Sequence, residues 1–478
     1  MFSDTDIQNI TKHGLTVESV LQQIDNFKTG FPYANIVRPA TVDDGILKLS
    51  DIECEKYINI YDSNRDTKTI TKFVPASGAA TRMFKDLFEY LATQQPNQTS
   101  ITVLSNLDKF AFYDDLKINE NAIDSEIIDN IINGNGLNYG KTPKALIKFH
   151  KYDDGARTAA AEHLIEGAQY ASSNNNVNIH FTLSPEHLDT FNNLMQSIIP
   201  EYEKRFNVKY NITTSVQKPS TDTIAVTPNN ELFRQSNGEL LFRPAGHGAL
   251  IENLNEINSD IIFIKNIDNI CNDAHRADTI KYKQVLAGLL IETQNHIFKY
   301  IDDLRNNTYN KQEICDFIQN TLKHKLPQDI SITELIGILN RPIRVCGVVQ
   351  NIGAPGGGPF WVKGTDNTES LQIVESAQIA PDARDIMNTS THFNPVDLVC
   401  GIRDFRGNVF DLQQFIDRTA GFISDKSASG KSLRAMEKPG LWNGAMAYWH
   451  TIFVEVPATT FTPVKTVADL LLPPHADK

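Results

Sequence analysis

The residues best equipped for chemistry in this chain sit in a few short segments. KFVPASGAATRMFKDL at 72–87 reads as a strand, a loop of small residues and a helix whose Met83, Phe84, Leu87, Phe88 and Leu91 recur at helical spacing. Small residues let backbone N–H groups approach a phosphate, a helix N-terminus favours its negative charge, and Arg82 adds a forked cation. Neither the P-loop nor the Rossmann glycine fingerprint is present, so by itself the segment is as readily a tight strand-to-helix turn. Asp268 ends the apolar run IIFI, where a strand terminus meets a cleft; one carboxylate with phosphate oxygens and waters suits Mg²⁺, and an Asx turn closing the strand is the alternative. In FRPAGHGAL at 242–250, Gly246 and Gly248 let main-chain groups reach a planar ligand edge that a Cβ would block, and His247 would orient that loop. Lys144 and Lys465 are isolated cations, each read alone as a solvated or snorkelling side chain.

The elements that must position these residues alternate in type. Short β-type runs appear at ITKFV, VNIHFTL (177–183), VKYNIT (208–213), DIIFIKNI (260–267), IRVCGVV (343–349), LQIVES (371–376) and TIFVEV (451–456). Helical stretches separate them, which predicts an α/β fold with a mixed sheet flanked by helices. Residues 1–65 read as an N-terminal helical extension and 276–340 as a helical insertion carrying Leu286, Leu289, Leu290, Ile314, Phe317, Ile318 and Leu322. The expected divisions are therefore 1–65, 66–275, the insertion at 276–340, and 341–478 including the C-terminal segment.

Composition bounds the function classes. With 478 residues, 41% hydrophobic and 22% charged, the chain has material for about three domain-sized units at roughly 150 residues each. Its 45 basic and 58 acidic residues give a net charge of −13, which argues against a broad nucleic-acid footprint but leaves room for a small anion pocket. No apolar run approaches the roughly 20 residues of a membrane span and the first residues lack a secretory pattern, so a cytoplasmic protein with no membrane partner is expected. Five cysteines, never in CxxC spacing, predict free thiols.

Taken in order, the motifs resemble a family. ASGAATRMFK is similar to the glycine-rich loop of nucleotidyltransferases that make nucleotide sugars, and KTPKALIKFH (141–150) resembles the Pro-Lys segment that follows it. FRPAGHGAL and IIFIKNIDNI resemble the base-binding loop and metal strand of UDP-sugar pyrophosphorylases. PGGGPFWV (355–362), LQIVESAQIAP (371–381), HFNPVDLV (392–399) and EVPATTFTPVKTVADLLL (455–472) continue the collinearity. The chain thus resembles an uncharacterised bacterial family of unknown function related to those enzymes, with their glycosyltransferase-A-like, Rossmann-like fold.

The resemblance implies that 66–275 is the nucleotide-binding half and 341–478 the sugar-binding half with the C-terminal segment, and that the reaction is transfer of a nucleoside monophosphate, from UTP by preference, to a sugar 1-phosphate with release of pyrophosphate. That reaction asks a protein to align two anions and neutralise charge. By resemblance Arg82, Lys144 and Lys465 contact phosphate and Asp268 holds Mg²⁺. The nucleotide falls to Ala76, Ser77, Gly78, Ala79 and Thr81 and to Gln217, Gly246, His247 and Gly248, with the Gln217 amide pairing with uracil. The sugar falls to Glu375 and Asn394 beside Gly356, Gly357 and Gly358, with His392 and Asp397 flanking. No obligate protein partner and no nucleic acid is implied. The first loop departs from the family: Ser77, Ala79 and Ala80 stand where glycines are usual, and each added Cβ could crowd a triphosphate. A nucleotide-sugar-binding protein without turnover, or a glycosyltransferase using the same cleft, are the competing readings.

Overall fold

Five- to eight-residue runs rich in Ile, Val and Phe become parallel strands when helices cover both faces of their sheet. In a computed structural model, which describes residues 2–476 apart from 79, 120, 352, 354–356, 365–367 and 429, the chain divides into two compact units.

One unit comprises Cys54–Val216, Ile261–Gly288 and Val456–Lys478. Its sheet places Ile261–Lys265, Ile70–Pro75, Asn176–Leu183 and Lys209–Val216 side by side, all parallel, with the short strand Ser172–Ser173 antiparallel to Asn176–Leu183. Parallel neighbours require crossovers, and Leu188–Phe206 supplies one, ending at Asn207 in the left-handed conformation. Thr158 caps Ala159–Tyr170 by accepting the Ala161 N–H. The core gathers Val74, Ala80, Phe84, Leu87, Ile165, Ile179 and Phe181, so the stripe read from 83–91 faces inward as its spacing predicts. A 3₁₀ turn at Ala80–Arg82 separates the small-residue loop from the helix Lys85–Thr93, so that helix begins farther along than the sequence suggests.

The other unit comprises Met1–Glu53, Gln217–Asp260 and Leu289–Glu455. Its main sheet runs Thr41–Val42, Gly45–Leu47, His450–Glu455, Ile343–Gln350, His392–Gly401, with the last pair antiparallel and the others parallel. Gly358–Lys363 and Glu369–Val374 form a hairpin joined by Ile36–Pro39. A second antiparallel sheet orders Phe242–Arg243, Thr223–Val226, Lys431–Glu437 and Phe422–Ala428. The N-terminal helices Asp4–Lys12 and Val17–Thr29, each opened by a capping box at Ser3 or Thr16, bury Ile10, Val20, Ile24 and Phe27 against Ile224, Val226 and Met436 of that sheet. Beside these helices lie three strands of four residues or fewer at 36–47, too short to leave a period in the sequence. Residues 276–340 carry Ala277–Arg305, Lys311–Asn320 and Ile332–Leu339. All five cysteines are free, and no helix among the described residues is long and apolar enough to cross a membrane.

Candidate functional site

In open α/β sheets ligands bind beyond the carboxyl ends of the parallel strands. Ile70–Pro75 and Ile261–Lys265 run parallel, so both deliver their following loops to the same end of the first unit's sheet. Asp268 lies there, 8% exposed, and its Oδ2 accepts a hydrogen bond from Lys144 Nζ at 2.7 Å while Lys465 Nζ stands at 3.6 Å. Lys144 also donates to the Val464 carbonyl at 2.7 Å. The C-terminal segment is laced along this turn: Val464 N–H donates to Asp268 O, Thr462 N–H to Asn269 Oδ1, and Thr462 Oγ1 to Ile270 O. Burial opposes ionisation of Asp268, yet Lys144 and Lys465 beside it hold its carboxyl below the usual range. Two ammonium groups around one carboxylate leave a net positive charge, and Arg82 stands exposed at the 3₁₀ turn. That balance suits a polyanion.

The small-residue loop splits by orientation. Ala76 and Ala80 belong to the core, and their N–H groups donate to the carbonyls of Thr182 and Thr142. Ser77 is half-buried with its carbonyl held by Ser184 Oγ at 2.9 Å, whereas Gly78 and Thr81 are exposed, Thr81 Oγ1 donating to Gly140 O. Ala79 lies outside the described residues. Among the described residues no group of three or more His, Cys, Asp or Glu side chains is poised for a metal. The donor set fits Mg²⁺ as a single carboxylate whose remaining ligands come from phosphate and water, since Mg²⁺ keeps several waters and commonly takes one or two carboxylates.

Beneath the strand ends lies a charge cluster that motif reading passed over. Lys72 Nζ and Lys265 Nζ each reach Glu166 at 2.8 Å, and Tyr170 OH donates to the same carboxylate at 3.1 Å. Lys72 and Glu166 are fully buried, and burial pulls the Lys72 ammonium down to about 7. The signal was available: a lysine interrupts each of the apolar runs ITKFV and IIFIKNI, and charged residues are almost never fully buried unless paired. His163 Nε2 donates to Ile267 O at 3.2 Å, steadying the turn that carries Asp268.

The second unit assembles another group. Gly246 has φ +78°, a left-handed value suited to glycine, and a Cβ on Gly248 would lie 2.0 Å from the Pro439 carbonyl oxygen. His247 Nδ1 accepts the Leu441 N–H at 3.0 Å, so in the neutral ring Nε2 carries the proton. Its ring stacks on Trp442 with centroids 4.1 Å apart, and burial lowers its pKa to about 4, which suits an orienting role better than acid–base work. Trp442 Nε1 in turn donates to Glu375 Oε1 at 3.4 Å, and burial holds the Glu375 carboxyl above the usual range. Gly357 packs close to Glu375, where a Cβ would lie 3.1 Å from Oε1, and its carbonyl accepts the Asn394 N–H at 2.9 Å. Asn394 Oδ1 accepts the Val396 N–H at 3.2 Å across a break in the strand's register, with Val396 at φ +61°, a strained value for a β-branched residue. His392 Nε2 pairs with Glu455 at 3.0 Å. Thus His247, Gly357, Glu375 and Asn394 join one contact chain through Trp442. Gln217 does not; its amide reaches Thr221 Oγ1 at 3.4 Å. Gly356 lies outside the described residues.

The sequence matches, over residues 3–476, the family described as Domain of unknown function (DUF4301). No curated protein matches it. Among solved structures, the uridine diphosphate N-acetylglucosamine pyrophosphorylase from Trypanosoma brucei, in complex with inhibitor, is similar over 98% of this chain and 84% of its own, with TM-score 0.52 and 11% identity. The UDP-glucose pyrophosphorylase from Leishmania major is similar over 98% of this chain and 79% of its own, with TM-score 0.46 and 13% identity. The first similarity shows the fold, the mixed α/β architecture of pyrophosphorylase-like nucleotidyltransferases, and at that identity it speaks to fold alone.

Proposed function

We propose that this chain, which belongs to the DUF4301 family, is a nucleotidyltransferase that joins the nucleoside monophosphate of an NTP, by preference UTP, to a sugar 1-phosphate and releases pyrophosphate. The observation that carries the reading is the Lys144–Asp268–Lys465 constellation, two cations and one carboxylate brought from three distant stretches of sequence to the end of a parallel sheet. The sugar phosphate oxygen attacks the α-phosphorus, the bond to the bridging oxygen breaks, and pyrophosphate departs with its electrons. Negative charge shifts onto the leaving group, so Lys144, Lys465 and Arg82 would bind the phosphates and stabilise that charge. Bound Mg²⁺, for which Asp268 is the candidate protein ligand, would supply further charge neutralisation. Hydroxyl recognition is assigned to Glu375 and Asn394, and the base to the Gly246–Gly248 loop and Gln217.

The test is pyrophosphate release with Mg²⁺ from four NTPs crossed with a panel of sugar 1-phosphates. The expected result is release from one pair, lowered at least about 100-fold in Lys144→Met and Asp268→Asn, the scale of removing one transition-state charge partner. Silence across the panel with measurable UTP binding would instead favour a nucleotide-sugar-binding protein.

A further inference from the structure

We propose that Trp442 is a positioning residue that ties the Gly246–Gly248 loop to Glu375, so that the sugar specificity of the reaction depends on a residue of neither recognition segment. The inference rests on the nucleotidyltransferase reading, which puts the base at the loop and the sugar at Glu375.

Three successive residues act on two different elements. The Leu441 N–H donates to His247 Nδ1, the Trp442 indole stacks on the same imidazole and donates to Glu375, and Asn443 Nδ2 donates to Gln378 Oε1 at 2.8 Å. Gln378 Oε1 also accepts the Glu375 N–H at 3.0 Å, so Glu375 is held at its carboxylate by Trp442 directly and at its backbone through the Gln378 that Asn443 engages. Gly440 permits the approach: a Cβ there would lie 2.4 Å from His247 Cε1 and 2.0 Å from Asn443 Oδ1.

The tripeptide is anchored from below at unusual cost. Arg344, on the central strand Ile343–Gln350, is fully buried, its Nη1 donates to the Trp442 carbonyl, its Nε donates to Thr451 Oγ1 at 2.9 Å, and its Nη2 has no hydrogen-bond partner among the described residues. A buried guanidinium without a carboxylate is expensive, and here it fixes the backbone of the residue that bridges loop and carboxylate. A tryptophan serving the core alone is buried like Trp449, at 1% exposure; Trp442 remains partly exposed. The indole N–H matters because Glu375, short of solvent, gains orientation from each donor it keeps.

The experiment compares full-length wild type with Trp442→Phe, which keeps a ring for the His247 stack and removes the N–H donor. UMP affinity is expected to stay within twofold, while KM for the sugar 1-phosphate rises roughly fivefold, as for loss of one hydrogen bond, with kcat nearly unchanged. In wild type, tryptophan emission should change on adding UMP and again on adding the sugar 1-phosphate. Both changes should vanish in Trp442→Phe, although Trp361 and Trp449 remain. If UMP binds and neither ligand alters the emission, or if KM for the sugar phosphate is unmoved, the proposal is wrong and the nucleotidyltransferase reading survives. If neither UMP nor any of the four NTPs binds, both fall. Should the variant fail to fold, the two wild-type emission responses decide.

Discussion

Lys144→Met tests the heart of the candidate site through stability, independently of any substrate. The substitution keeps most of the aliphatic stem and removes the ammonium that lies 2.7 Å from Asp268 Oδ2 and 2.7 Å from the Val464 carbonyl. Both side chains of the pair are largely buried, at 15% and 11% exposure, and stripping one partner from a buried pair costs about 3–5 kcal/mol because the other charge is left uncompensated. Lys465 remains at 3.6 Å, but at 61% exposure such a pair recovers only about 0–1 kcal/mol. A net loss of about 3 kcal/mol follows. Asp268→Asn should cost about 2 kcal/mol, since it removes the charge and leaves an amide able to accept from Lys144. The double variant should cost less than Lys144→Met alone, about 2 kcal/mol, because neither charge is then stranded, giving a coupling of about 3 kcal/mol. Urea unfolding of the full chain, followed by circular dichroism at pH 7.5, measures all four proteins. If Lys144→Met unfolds within about 0.5 kcal/mol of wild type, or the two substitutions add without coupling, the pair does not exist as described.

Two glycine substitutions separate packing from ligand contact. Gly248→Ala forces a Cβ against Pro439 backbone, so a loss of about 1–3 kcal/mol and a lower melting temperature are expected. Gly78→Ala meets nothing within 4 Å and should leave melting unchanged, so any loss of nucleotide affinity in that variant reports the ligand directly; unchanged affinity would remove Gly78 from the binding loop. The stability deficit of Asp268→Asn should be constant above about pH 4 and close as pH falls further. A carboxyl whose folded pKa is depressed contributes stability that is present above its unfolded value and lost as pH falls through the folded one. A deficit that widens in acid would contradict that ordering.

How much of this was legible in the sequence depends on whether a residue's partner is near or far. Apolar runs such as ITKFV and IIFIKNI are local signals and gave strands, and the leucines of 286–290 gave a helix. The hairpin of Phe422–Ala428 and Lys431–Glu437 reads as polar because its first strand, FISDKSA, is half-buried or exposed at every position, so no alternation survives. His392–Gly401 carries an asparagine, a proline and an aspartate inside a buried strand, a pattern that reads as loop until the break at Asn394–Val396 is seen. Lys144 and Val464 are 320 positions apart, and only the order of motifs, never periodicity, brought Lys144, Asp268 and Lys465 into one hypothesis. Trp442 escaped because its meaning is relational: its stack, its donor and its anchoring arginine all come from elsewhere in the chain.

The same relational logic bears on the departures in the first loop. Read linearly, Ser77, Ala79 and Ala80 each threaten a triphosphate with an added Cβ. In three dimensions Ala80 is fully buried in the hydrophobic core of its unit, and its N–H is committed to Thr142 O, so its methyl group packs inward. Ala76 likewise faces the core and is tied to Thr182. Of the described loop residues, Gly78 is the one that keeps both a glycine and open space around its Cα, and Ser77 is turned by the hydrogen bond from Ser184. An alanine that completes a core stabilises the loop without occupying the volume a phosphate needs. The substitution that seemed to favour a binding relic therefore weighs less than the Lys144–Asp268 pair, whose desolvated charges would be a costly thing to maintain in a site with no anion to receive.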